Sequence, residues 1–176
     1  MISAATTGFL TSFALILAIG AQNAFVLKQG IMRRHVFWVC LTCAVSDALL
    51  ITAGVVGFGA IATLFPSLPG IMSLGGAAFL TLYGLTRFIA AYKGGDQLAM
   101  SSKPVNLGST IWVCLALTWL NPHVYLDTLG LIGAVSTQST ENVQKVAFGI
   151  GAVAASFVFF FSLGYGARFL APIMQT

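Results

Sequence analysis

A carboxylate set in the middle of an apolar run is the first feature of this sequence that needs a chemical reason. Asp47 lies near the centre of the run from Val36 to Leu64, in the segment Cys43-Ala-Val-Ser-Asp-Ala-Leu49. At the middle of a lipid-length helix an aspartate costs about 2.5–3.5 kcal/mol on insertion scales, and it persists where it faces a cavity or a partner. Three kinds of chemistry suit it. It can bind a cationic substrate, carry a proton, or pair with a basic side chain, for which Arg87 is the one placed deep in a span.

A second chemical signal is the pair Asn121-Pro122, inside another apolar run from about Leu107 to Val135. Proline lacks the backbone donor and its ring clashes with the preceding turn, so the helix breaks there. In lipid the freed carbonyls are tolerable only where they line a cavity or are buried in protein. Thr118, Asn121, Tyr125 and Thr128 recur at three- and four-residue steps, which places them on one polar stripe. The first apolar run has an analogous place at Gly20, followed by the amide pair Gln22-Asn23. Those amides suit a substrate carboxylate or ammonium, and they equally suit tying helices together. Asp127 and Lys28 fall near opposite ends of their helices, where a gating role and a solvated interfacial role are both open. His123 suits a proton relay or a structural hydrogen bond.

The elements that must hold these groups follow from composition. Of 176 residues, 58% are hydrophobic and 7% charged, and the mean hydropathy is +0.95. A soluble domain uses about 25% charged residues to cover its surface. Eight basic and four acidic residues cannot do that here, but they can cover the ends of a bundle whose sides face lipid. The fold class is therefore all-α, a polytopic membrane helix bundle. A hydrocarbon core of about 30 Å takes about 20 helical residues, and five runs qualify: 5–27, 36–64, 70–92, 107–135 and 143–170. The first lacks a charged leader and a cleavage site, so it is expected to stay as a helix. Basic residues gather in the first connector (Lys28, Arg33, Arg34) and around the third (Arg87, Lys93, Lys103). The second connector has no charge, and the fourth has Lys145 beside Glu141. Basic residues accumulate on the cytoplasmic side, so the Lys28–Arg34 and Lys93–Lys103 loops are expected there, with the N-terminus outside.

The halves of the chain also resemble one another. Gly20 to Lys28 lines up with Trp119 to Asp127, setting Gln22-Asn23 against Asn121-Pro122 and Lys28 against Asp127. Ser46 and Gly54 have the spacing of Ser156 and Gly164. With three spans in each repeat, the matched helices start on opposite sides of the membrane and run in opposite senses. That is the pattern of an inverted 3+3 repeat, which transporters use to build alternating access around a midplane site. Residues 1–92 form the first repeat, 93–106 a polar cytoplasmic connector, and 107–176 a second, incomplete repeat. Five spans are present and a sixth is missing, so truncation, an empty position or another subunit must account for it. The translocation site expected from this arrangement draws on Asp47, Ser46, Gln22, Asn23, Thr118, Asn121, Pro122, Tyr125 and Asp127.

Other functions find no support in the residues. The net charge of +4 comes from connector lysines and arginines without aromatic interleaving, so nucleic acid is not an expected partner. Cys40 and Cys43 have CxxC spacing, but neither they nor Cys114 stands near a second ligand cluster, and packing is the better reading. There is no nucleotide loop, no metal-ligand cluster and no supported catalytic triad. No enzyme, metal or cofactor is expected, and transport would run on an ion gradient or downhill. The small-residue stretches, such as Gly149, Gly151 and Ala155, are scaffold.

Four stretches carry a family resemblance: Ile19-Gly-Ala-Gln-Asn-Ala-Phe-Val-Leu-Lys-Gln-Gly30, Ala44-Val-Ser-Asp-Ala-Leu-Leu50, Gly75-Gly-Ala-Ala-Phe-Leu80 and Leu117-Thr-Trp-Leu-Asn-Pro-His-Val-Tyr-Leu-Asp-Thr128. With them the sequence resembles the lysine exporter (LysE) family, nearest its arginine-exporter branch. The family often has proline where this chain has Ala21, and its members carry one more C-terminal helix. The resemblance implies a multi-pass bacterial inner-membrane exporter of basic amino acids, arginine or lysine, driven by the proton gradient or membrane potential. Asp47 or Asp127 would meet the cationic side chain, and Gln22, Asn23, Asn121 and Tyr125 the carboxylate. Partners are then the amino acid and membrane lipid, with a homo-oligomer left open. An exporter of neutral amino acids and a channel-like or structural membrane subunit stand as alternatives.

Overall fold

No water reaches a peptide group in hydrocarbon, so a chain of this composition must close its backbone hydrogen bonds within helices. A computed structural model of the chain describes residues 1–18, 20–58, 106–136 and 141–169, with single positions between 64 and 89. Among the described residues every regular element is helical. Helix α1 covers Ile2–Ile16, α2 Ala21–Ile31 and α3 Val36–Ala53, continued by a π turn at Gly54–Phe58. After residue 106 come α4 (Leu107–Trp119), α5 (Pro122–Tyr125), a π-helical stretch at Leu126–Ile132 and α6 (Gly133–Ser136). Helix α7 runs from Asn142 to Gly166 and closes in a 3₁₀ turn at Ala167–Phe169.

Among the described residues two spans are long and apolar enough to cross a membrane unbroken, Val36–Gly57 and Asn142–Phe169. The first expected span instead begins at Ile2 and bends by 84° between α1 and α2, counting as one crossing only if the pair is taken together. The fourth is interrupted after Trp119, leaving α4 a short apolar helix. The third expected span, the connectors at 65–70 and 93–105, and Arg87 lie outside the described residues, apart from the single positions. Of those, Leu74, Ala78, Thr81, Leu82, Leu85, Phe88 and Ile89 are helical and exposed.

Contacts fix how the helices run. Ala5 packs on Gly151 and Phe13 on Phe159, so α1 and α7 are parallel. Cys40 meets Phe160 and Asp47 meets Ser156, so α3 and α7 are antiparallel. Cys43 meets Cys114, Ser46 meets Trp119 and Gly54 meets Thr128, so α3 runs parallel to α4 and the segment beyond it. The broken first and fourth spans therefore traverse the bundle in opposite directions.

The α1–α7 seam shows why small residues stand where they do. A Cβ on Gly151 would overlap the Ala5 carbonyl, and one on Gly8 would overlap that of Phe148. Glycine at both places lets the backbones touch, which supplies packing that apolar lipid cannot. Two apolar clusters fill the interior: Val26, Val39, Cys40, Cys43, Ala44, Cys114, Phe159 and Phe160 in one, and Ile51, Ile132, Phe148 and Ala152 in the other. The large exposed side chains, among them Leu49, Trp112, Val146, Ile150 and Val158, are suited to face lipid.

The thiols of Cys43 and Cys114 lie 3.2 Å apart and fully buried, which pins the register of α3 against α4. Treatment of the purified protein with diamide is expected to join them as an intramolecular disulfide, detectable as a linked peptide pair by mass spectrometry. Linkage of Cys40 to Cys114 instead would mean that the helices are shifted by about one turn.

Candidate functional site

Both broken helices close their own loose ends. In the first, the chain leaves α1 at Leu17 and re-enters helix after Gly20, which is extended (φ −106°, ψ 179°). The Asn23 amide reaches back to the freed carbonyls, with Nδ2 donating to Ile16 O at 2.8 Å and to Ala18 O at 3.0 Å. The break exists without a proline: Ala21 opens α2, and the asparagine supplies the missing donors. In the fourth span Pro122 has no N–H to give. The Asn121 side chain accepts from the His123 N–H at 3.1 Å, capping α5, and the Asn121 N–H turns to Thr118 O at 3.4 Å. The carbonyl of Trp119 would be left over, and the Tyr125 hydroxyl donates to it at 2.6 Å.

Two members of the expected polar stripe are satisfied locally. Thr118 Oγ1 donates to Cys114 O and Thr128 Oγ1 to Val124 O, each one turn back on its own helix. Such back-bonding satisfies a hydroxyl and favours local bending.

Asp47 is different. Its side chain is 3% exposed at the α3–α7 crossing, and its hydrogen bond is with Ser156, whose hydroxyl donates at 3.2 Å. Asp127 lies within electrostatic reach of it from the π-helical stretch, and Asp127 in turn pairs with His123 at 2.8 Å across one turn. Among the described residues Asp47 has no basic partner. Beside it Ser46 accepts from the Trp119 indole N–H at 3.2 Å, and the Trp119 ring stands edge-on to Tyr125. Gln22 sits against Cys43, one turn of α3 away from Asp47.

The nine expected site residues thus divide. Asp47, Ser46 and Asp127 come together with Tyr125, through Trp119, around the second half of the fourth span. Gln22 approaches from α2, while Asn23 faces its own break and Thr118 its own helix. Three contributors were not anticipated. Ser156 stands at the position matched with Ser46 in the internal repeat. Trp119 adjoins the Asn-Pro break. Gln29 lies two helical turns beyond Gln22 on the same buried face of α2. Gln22 Nε2 and Gln29 Oε1 are buried without a hydrogen-bond partner among the described residues. An orphaned donor and an orphaned acceptor on one face are costly where nothing comes to meet them.

The described residues thus form an apolar helix bundle with two self-sealed breaks and a buried carboxylate on α3, and comparison with known proteins gives its family. The model of LysE type translocators matches residues 13–176. This chain belongs to the LysE type translocator family. It is an integral membrane transporter and not an enzyme. It is 41% identical to the arginine exporter protein ArgO of Serratia proteamaculans, over all of this chain and 86% of that one. It is 43% identical to candidate amino-acid transporters of Mycobacterium bovis and Mycobacterium tuberculosis, over 92% of this chain and 80% of each. No solved structure matches it significantly.

If Asn23 serves the break through its two donors, its carboxylate isostere is worse than its removal. Asn23→Ala is expected to lower stability by about 1–2 kcal/mol, since carbonyls lose partners in a low-dielectric setting. Asn23→Asp, which places a charge against two carbonyl oxygens, is expected to lower it further. Thermal unfolding in detergent micelles measures both, and an Asn23→Asp protein as stable as the parent contradicts the assignment.

Proposed function

We propose that this LysE family member exports basic L-amino acids, arginine or lysine, across a bacterial inner membrane under the proton motive force. The observation that carries the proposal is Asp47. A buried carboxylate with a serine hydroxyl as its hydrogen-bond partner and no basic partner among the described residues is suited to receive a cation. An ammonium or guanidinium group meets it with charge-assisted hydrogen bonds. Asp127 adds negative potential nearby, and Gln22 Nε2 and Gln29 Oε1, buried without a hydrogen-bond partner among the described residues, put a donor and an acceptor on one face of α2. The 41% identity to an arginine exporter supports the same cargo.

The driving force follows from electrostatics. Moving a monovalent cation out of an inside-negative cell is opposed by about 2.3 kcal/mol per 100 mV. Inward exchange of one proton for each outgoing cation removes that electrical penalty. A single carboxylate able to hold either a proton or the substrate cation performs this exchange, because the two occupants exclude one another.

Alternating access is proposed to come from the inverted repeat, with residues 1–92 moving against 107–176 about the connector 93–106. The support is the opposite direction of the two broken spans and the meeting of Asp47 with Ser156. That serine matches Ser46, the neighbour of Asp47, in the other half. Orientation is proposed with the Lys28–Arg34 and Lys93–Lys103 loops in the cytoplasm. In support, Arg33 and Arg168 stand at the same end of the bundle, lining one cavity.

Proteoliposomes with an imposed proton gradient test the proposal. Labelled arginine is expected to move with the parent protein and to fall at least to about a tenth with Asp47→Asn, a loss of more than about 1.4 kcal/mol in transition-state terms. Equal arginine fluxes with and without the carboxylate would falsify the role of Asp47. Leucine movement matching that of arginine would reassign the cargo to neutral amino acids.

A further inference from the structure

At the basic end of the bundle lies a cavity of about 510 Å³ that the translocation site does not use. The C-terminus of α2, the start of α3 and the end of α7 enclose it. Gly30 and Gly164 let α2 and α7 approach at its floor, Val36 and Phe37 bring in the first turn of α3, and Arg33 and Arg168 both line it.

The two arginines are held there by different means. Arg33 occupies the left-handed position just past α2 (φ 52°), with its own N–H on Gly30 O and the Arg34 N–H on Gln29 O. This is a Schellman closure, whose left-handed position usually takes glycine. A side-chain-bearing residue is disfavoured there, so the turn gives up stability to place a guanidinium at the cavity. Arg168 lies over two rings, 5.7 Å from the centre of Tyr165 and 5.3 Å from that of Phe169. Among the described residues neither arginine has a carboxylate in ion-pair range. The positive end of α3 adds to their charge.

The location is interfacial. The two unbroken spans end here, one beginning at Val36 and the other finishing at Phe169. Exposed Phe37, Tyr165 and Phe169 line the site, as aromatic residues do at the headgroup level.

We propose that this cavity binds the phosphodiester headgroup of an acidic phospholipid, held between Arg33 and Arg168. A lipid suits it better than a free anion, because the pocket opens among exposed aromatics that acyl chains would cover. The substrate cation does not suit it, since both arginines repel that charge. The site is independent of which amino acid is carried.

Native mass spectrometry of the purified full chain, titrated with phosphatidylglycerol against phosphatidylcholine, tests the site. Basic side chains near an anionic lipid surface each favour it several-fold, so two predict a preference of roughly thirtyfold. Arg33→Gln with Arg168→Gln is expected to erase that preference, while Lys145→Gln at the other end leaves it intact. The paired lysine variants, Arg33→Lys and Arg168→Lys, keep the charge and are expected to keep most of the preference. They decide the matter together with the parent titration if the glutamine pair fails to fold. Equal retention of the two lipids by the parent, or an undiminished preference in a folded glutamine pair, overturns the site. Inorganic phosphate retained as tightly as phosphatidylglycerol overturns the lipid assignment in favour of a free anion.

Discussion

Every backbone polar group inside hydrocarbon must find a partner in the protein, and this chain breaks two of its helices there. The rest of the arrangement depends on how those breaks are closed. An asparagine reaches back seven residues to close the first, and a tyrosine reaches back six to close the second. At both breaks the protein's own side chains supply donors to the freed carbonyls. The interior side chains are then free to be few. Thr118 and Thr128 serve their own helices, and the carboxylate of Asp47 stands out because so little answers it.

That scarcity connects structure to energetics and to function. A buried pair of opposite charges would be inert, since a cargo could displace neither member without a large desolvation penalty. A carboxylate answered by a hydroxyl is weakly held, and it gains from any cation or proton that arrives. Mutual exclusion of the two occupants is enough to couple their movements in opposite directions. Gly8 against Phe148 and Gly151 against Ala5 pack backbone on backbone where α1 of the first half meets α7 of the second.

Much of this was legible in the sequence for physical reasons. Hydrophobicity on this scale admits only a lipid-facing bundle, and a proline in an apolar run forces a break whatever its surroundings. The break at Gly20 was legible only as an analogy, because no single residue there forbids a helix. The device that holds it, Asn23 donating to Ile16 and Ala18, depends on where the chain re-enters helix. Ser156 and Trp119 could not be found from spacing along one helix, since each becomes polar partner to α3 only through packing. The size of the bend, 84° between α1 and α2, was not legible, because hydropathy counts residues and is blind to direction.

Among the described residues, Arg33 and Arg168 share a cavity at one end of the bundle, while Asp47 is buried inside it. The most direct check of the central claim is an experimental structure with arginine bound. The account predicts the guanidinium within hydrogen-bond distance of the Asp47 carboxylate, between α3 and α7, with Ser156 beside it. Arginine seated elsewhere, with Asp47 still bonded only to Ser156, would contradict it.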